Sequence, residues 1–228
     1  MTSLNLNKTK DLLNDERDIG FGYKVNDLYN MEYPDVVKFF RDRINSFYIK
    51  PGNFIIKKIK RKKTYASNFG FVIITLSSIL IDTLSQYRYG NIQSTTNFKL
   101  FLKEYVSEFD NTYSSPGKVY LKDNMSIPPK NSSDVDFADI FYSGFRCGIM
   151  HNGKILSYGG YVYKQKALLA EHSWNDSNSD TRLELSIDPV ILFKKMKLAF
   201  KKYIKELLNN LHRTEFLKKF EFDFGFNF

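Results

Sequence analysis

Residues 70–90 read Gly-Phe-Val-Ile-Ile-Thr-Leu-Ser-Ser-Ile-Leu-Ile-Asp-Thr-Leu-Ser-Gln-Tyr-Arg-Tyr-Gly. Val72, Ile73, Leu76, Ile79, Leu80, Leu84 and Tyr87 recur at helical spacing and form one apolar stripe, and Gly90 supplies a stop. Such a stripe has to be covered by other elements, and its neighbours offer mostly helices. Upstream, Pro34 and Asp35 suit a first helical turn. Val36, Val37, Phe39, Phe40, Ile44 and Phe47 then keep helical spacing until Pro51-Gly52, which reads as a turn. Downstream, Ser94 or Thr95 can cap a helix with Phe98, Phe101, Leu102, Tyr105 and Phe109 inward. Residues 111–134 read as a long polar loop. A further helix is expected from about Asp134 to Asn152, with Phe137, Ile140, Phe141, Phe145, Gly148 and Ile149 on its apolar face and Gly153 past its end.

The pattern then changes to strands. Lys154–Tyr158 and Tyr161–Gln165 flank Gly159-Gly160, the signature of a tight hairpin. Leu168–Trp174 and Arg182–Ile187 flank a polar loop and read as a second hairpin. Asp188-Pro189 opens a last long helix whose apolar side runs from Met196 to Leu211. Its other side carries Lys194, Lys195, Lys197, Lys201, Lys202 and Lys205, a wet face. The fold class is mainly α (α+β): a bundle of about five helices with a small antiparallel β-hairpin insertion, at about residues 154–187, before the last long helix. Residues 1–24 read as a polar arm, 25–212 as one domain, and 213–228 as an aromatic tail that pairs as a strand or docks on the core.

The net charge of +9 favours an anionic partner such as nucleic acid, although general richness in Asn, Lys and Ile gives the same surplus. Cys147 is the only cysteine, so neither an internal disulfide nor a cysteine-based zinc site is possible. His151, His172 and His212 lie far apart and show no metal-ligand spacing. No metal or cofactor is expected. The first residues carry no apolar signal core. The longest apolar run, Phe69–Ile81, is shorter than the ~20 residues of a membrane span. A soluble chain in the cytoplasm, without a membrane partner, is the expectation. Lys57, Lys58, Lys60, Arg61, Lys62 and Lys63 form the densest basic run. It reads first as a solvated loop, and second as an RNA-binding segment with Tyr65 and Phe69 stacking on bases.

The chemical signal is Phe145-Arg146-Cys147-Gly148-Ile149-Met150-His151-Asn152-Gly153. On an ideal helix, Arg146 and His151 project ~140° apart. Either the last turn unwinds, the arginine curls round, or a second protomer supplies the missing half. This stretch resembles the HEPN superfamily, α-helical bundles marked by Arg, four to six residues, then His near the end of a late helix. The resemblance covers about residues 36–153 and the last helix. It implies a metal-independent endoribonuclease of toxin–antitoxin or phage-defence type, acting on RNA as a homodimer with a composite site, and an antitoxin protein as a possible partner. In that reading Arg146 stabilises the phosphate, His151 transfers protons and Asn152 positions backbone or substrate. The plain reading is that Arg146 ion-pairs on the surface and His151 caps its own helix. Asp82 reads first as an exposed acid, and second as a carboxylate orienting Arg146 across the bundle. Two further readings stand beside the nuclease. One is a non-catalytic module binding RNA, a nucleotide or a protein, with Cys147 marking lost activity. The other is an interaction protein whose β insertion and tail contact another subunit.

Overall fold

A computed structural model describes residues 18–20, 23–28, 31–61, 66–90, 94–120, 129–156, 159–175 and 181–224. The chain is mainly helical with a small mixed sheet. Much of the expected polar arm lies outside the described residues, but its end is ordered. Strands β1 (Asp18–Gly20) and β2 (Tyr23–Lys24) pair antiparallel and lead into the single turn α1 (Val25–Leu28).

Helix α2 (Tyr33–Ile44) has Pro34 and Asp35 in its first turn. It continues through a π turn, Asn45–Ile49, into α3 (Lys50–Arg61). Pro51-Gly52 is therefore not a turn. Proline breaks a helix by lacking an N–H and crowding the preceding carbonyl. Here it follows directly on a turn whose ladder has already slipped, with the Lys50 N–H donating to Asn45 O, five residues back. Gly52 is there for closeness: a Cβ would lie 2.1 Å from Phe193 Cζ. The π turn also corrects the inward face. Phe47, expected inside, is 51% exposed, and Ile49 is buried instead. One extra residue per turn rotates everything after it.

As far as Arg61 the basic run is likewise helix rather than loop. Ile56 and Ile59 are buried and hold α3 against the body, leaving Lys57, Lys58, Lys60 and Arg61 exposed on its last turns. Lys62, Lys63 and Tyr65 lie outside the described residues.

Helix α4 (Ala66–Tyr89) is the axis of the bundle. Ile73, Ile74, Leu80, Ile81, Leu84 and Tyr87 are buried, whereas Val72, placed in the expected stripe, is exposed. The apolar stretch is longer than expected. Phe69–Tyr89 is 21 residues long and contains an 18-residue window of mean hydropathy 1.6, enough by length and composition to cross a membrane, and half of that window is buried inside the protein. Helix α5 (Ser94–Tyr105) buries Phe98, Phe101 and Leu102, and a 3-10 turn at Ser107–Asp110 buries Phe109. The expected long loop contains two short strands, β3 (Lys118–Val119) and β4 (Lys130–Asn131), paired antiparallel, and a 3-10 turn at Ser132–Asp134.

The helix carrying Arg146 starts at α6 (Phe137–Ile140), capped by Asp136, whose Oδ1 accepts from the Asp139 N–H at 2.8 Å. It widens into a second π turn, Phe141–Cys147, and ends as α7 (Gly148–Asn152). Gly153, at φ 64°, closes it in the left-handed conformation expected past a helix end.

The sheet departs from the antiparallel expectation. Strands β6 (Leu169–Asn175) and β7 (Thr181–Ile187) do form the second hairpin. Gly159-Gly160, however, is not a turn but part of strand β5 (Gly159–Tyr161), parallel to β7. At Gly159 a Cβ would sit 2.7 Å from the Phe145 ring, so this one glycine lets the strand pass under the helix. The turn comes later, with Lys164 at φ 68°. Strand β3 also joins β7 in parallel, making the sheet mixed.

Helix α8 (Pro189–Leu208) begins as expected, with Pro189 at its first position. Asp188, 2% exposed, accepts from Val190 and Ile191 N–H through Oδ1 and from Lys164 N–H through Oδ2. Asp188→Ala leaves three backbone donors short of a partner. It is expected to cost about 2 kcal/mol or more, read as a lowered urea midpoint at unchanged slope. The tail docks on the core, and does so as a helix: α9 (Arg213–Asp223) buries Phe216 and Phe220. One apolar cluster runs from Leu28 to Phe220.

Candidate functional site

The geometry at Arg146 begins with the π turn that carries it. The side chain is drawn into the seam between this helix and α4. Its Nη2 donates to Asp82 Oδ2 at 2.8 Å, and the guanidinium carbon lies 5.4 Å from the centre of the Tyr142 ring. Both members of the pair are mostly covered, at 17% and 19% side-chain exposure. This corrects the reading of Asp82 as an exposed acid and of Arg146 as a surface ion pair. The Asp82 carboxylate of α4 is the arginine's partner across the bundle. Burial alone pushes the Arg146 pKa down. The Asp82 hydrogen bond and charge outweigh it, so the pKa is raised and the positive charge is held more firmly.

The pair is not fully satisfied. Asp82 Oδ1, Arg146 Nε and Ser78 Oγ, one turn before Asp82, are buried without hydrogen-bond partners among the described residues. Tyr142, which the sequence reading did not single out, ties the seam to α5 through a 2.7 Å bond from the Thr95 hydroxyl. Its only local signal is its position four residues before Arg146, where helical side chains meet.

His151 and Asn152 stand exposed on the last turn of α7, with Met150 half exposed beside them. Among the described residues no contact joins His151 to Arg146. The monomer thus gives a clamped guanidinium and a free imidazole on one helix, but not a closed pair. The lysines of α3 are exposed, and Lys58 Nζ lies 5.2 Å from the centre of the Phe54 ring. His172 sits in β6 with Nε2 2.8 Å from Ser186 Oγ, as a structural histidine would.

Among the described residues, Glu104, Glu206 and His212 bring metal-ligand atoms together at the far end of α4, α5 and α8, a grouping the sequence spacing did not reveal. Their needs are largely met already. Arg88 donates to both Glu104 oxygens at 3.0 and 3.2 Å, Tyr89 donates to Glu104, and Tyr105 donates to Glu206. Burial pushes the Glu104 carboxyl up. The Tyr89 and Arg88 hydrogen bonds and the Arg88 charge overcome it, holding the group below its ordinary value. A guanidinium in that place repels a second cation, so the cluster reads as an ion-pair network tying helix ends together.

Comparisons with protein-family models, with curated proteins and with solved structures find no match for this chain.

Proposed function

We propose that the chain is a HEPN-like, metal-independent endoribonuclease that acts in the cytoplasm as a homodimer, in a toxin–antitoxin or phage-defence setting with an antitoxin-type protein as its regulator. The observation that supports this reading is the division of labour on one helix. Arg146 is fixed in charge and orientation by Asp82 and Tyr142, while His151 is exposed five residues later with Asn152 beside it. In-line attack by an RNA 2′-hydroxyl needs a base for its proton, a cation over the phosphate as charge grows, and an acid for the leaving 5′-oxygen. One His151 takes the first proton, the partner's His151 supplies the second, and Arg146 stabilises the phosphate between them. The exposed cations Lys57, Lys58, Lys60 and Arg61 hold the RNA backbone through charge alone.

Purified protein should cleave a labelled RNA in excess chelator. His151→Ala and Arg146→Ala should each lower the rate by about 100-fold or more. Cleavage that persists at the parental rate in both variants would sink the roles assigned here. The covered Asp82–Arg146 pair favours a second reading, in which Arg146 is structural and the bundle binds RNA without cutting it. Salt-sensitive RNA binding by the parental chain, with no product, selects that reading.

A further inference from the structure

A second site lies away from Arg146, where α2 and its π turn face α8. A cleft of about 210 Å³ opens there. Its floor is Ile49, Phe200 and Ile204, each less than a tenth exposed. Arg41, Lys197 and Lys201 line it together with Asn45, and among the described residues no acidic side chain does. The nearest compensation is weak. Arg41 pairs with Asp42 at 3.1 Å, but both side chains are about 40% exposed, where such pairs contribute little. Lys197 bonds Asn53 Oδ1 at 2.9 Å, a neutral partner that leaves its charge in place.

Three cations around one apolar floor repel one another, and an anion seated among them relieves that repulsion. Lys195 and Lys202 of α8 are paired with Glu108 and Glu206, but the exposed Lys194 and Lys205 extend the positive field and draw anions toward the opening. The π turn supplies both Asn45 and Ile49, and it turns Phe47 away from the cleft. Single π turns within α-helices are rare and are frequently found at functional sites.

We infer that this cleft binds a small organic anion: a phosphate or carboxylate head held by Arg41, Lys197 and Lys201, on an apolar body laid against Ile49, Phe200 and Ile204. The site is independent of the nuclease reading. The lysine face of α8, plain solvated surface by sequence, becomes one wall of a binding site.

The test is calorimetric titration of the full chain with three probes: 1-naphthyl phosphate, octanoate and inorganic phosphate. Saturable binding of the aryl phosphate alone assigns a phosphate head on a flat body. Binding of octanoate alone assigns a carboxylate on a chain, and binding of both assigns only the shared chemistry. In each case the Lys197→Glu/Lys201→Glu variant should bind about tenfold more weakly or worse. Asn45→Trp, which fills the opening, should bind more weakly still. Both variants should keep the parental far-ultraviolet spectrum, because the substituted side chains are outside the core. The inference is overturned if neither organic anion binds, if inorganic phosphate binds as tightly as they do, or if the charge-reversed variant binds unchanged. Should Asn45→Trp lose its helical spectrum, the charge-reversed variant alone decides.

Discussion

Phe216→Ala is expected to destabilise the protein by about 3–5 kcal/mol, the range for emptying an aromatic site in a packed core. Phe216 is fully buried, and its ring meets Tyr33, Phe40, Tyr87 and Phe220 at centroid distances of 5.2–6.2 Å. Two of those contacts are edge-on, an arrangement aromatic quadrupoles favour, and two are tilted. At this chain length such a loss lowers the thermal midpoint by roughly 10 °C. Phe222→Ala, on the same helix but 67% exposed, is the control and should stay within about 0.5 kcal/mol of the parent. Equal effects from the two, measured by urea unfolding, would show that α9 does not belong to the core.

Arg146→Ala should cost about 3 kcal/mol, because it leaves the Asp82 carboxylate in the seam without its cation and with Oδ1 already lacking a partner. Asp82→Ala should do similar harm from the other side, leaving a covered guanidinium. Removing both should cost less than the sum of the two, by about 1–3 kcal/mol, since neither charge is then left alone. Additivity within about 0.3 kcal/mol would mean that the pair contributes nothing to stability. The cycle also bears on catalysis. A loss of cleavage in Arg146→Ala must be read at a temperature where the variant is folded. Arg146→Lys, which keeps the charge but not the fork, separates the two effects.

What the sequence disclosed, and what it hid, follows from the range of the signal. The start of α8 was legible because Asp188 and Pro189 act within one turn of their own position. The end of α7 was legible because Gly153 needs nothing beyond its own backbone. The two π turns were not legible. A helix that gains one residue keeps its composition and most of its spacing, so Phe47 still looked inward. Gly52 and Gly159 were misread for a shared reason. Glycine signals a turn when only neighbours in sequence are considered, yet here each makes room for an aromatic ring from a distant segment, Phe193 and Phe145. The parallel pairing of β5 with β7 and the bond from Arg146 to Asp82, 64 residues apart, are likewise products of packing. Asp82 was visible as a possible partner, but an acid on the polar side of a helix is more often solvated, and nothing local overrode that expectation.

Helix α9 gives the molecule a particular order of assembly during synthesis. Phe39 and Phe40, near the start of the bundle, have Phe216 and Phe220 as ring partners. As the ribosome makes the chain from its N-terminus, the cleft that receives these last aromatics stays open, with apolar rings facing water, until residue 220 has emerged. The nascent protein therefore passes through a sticky, unfinished stage that lasts from the emergence of Phe39 and Phe40 to that of Phe220. Chaperone capture of that stage, and aggregation when synthesis stops before α9, both follow from placing the closing piece so far along the chain from the rings it covers.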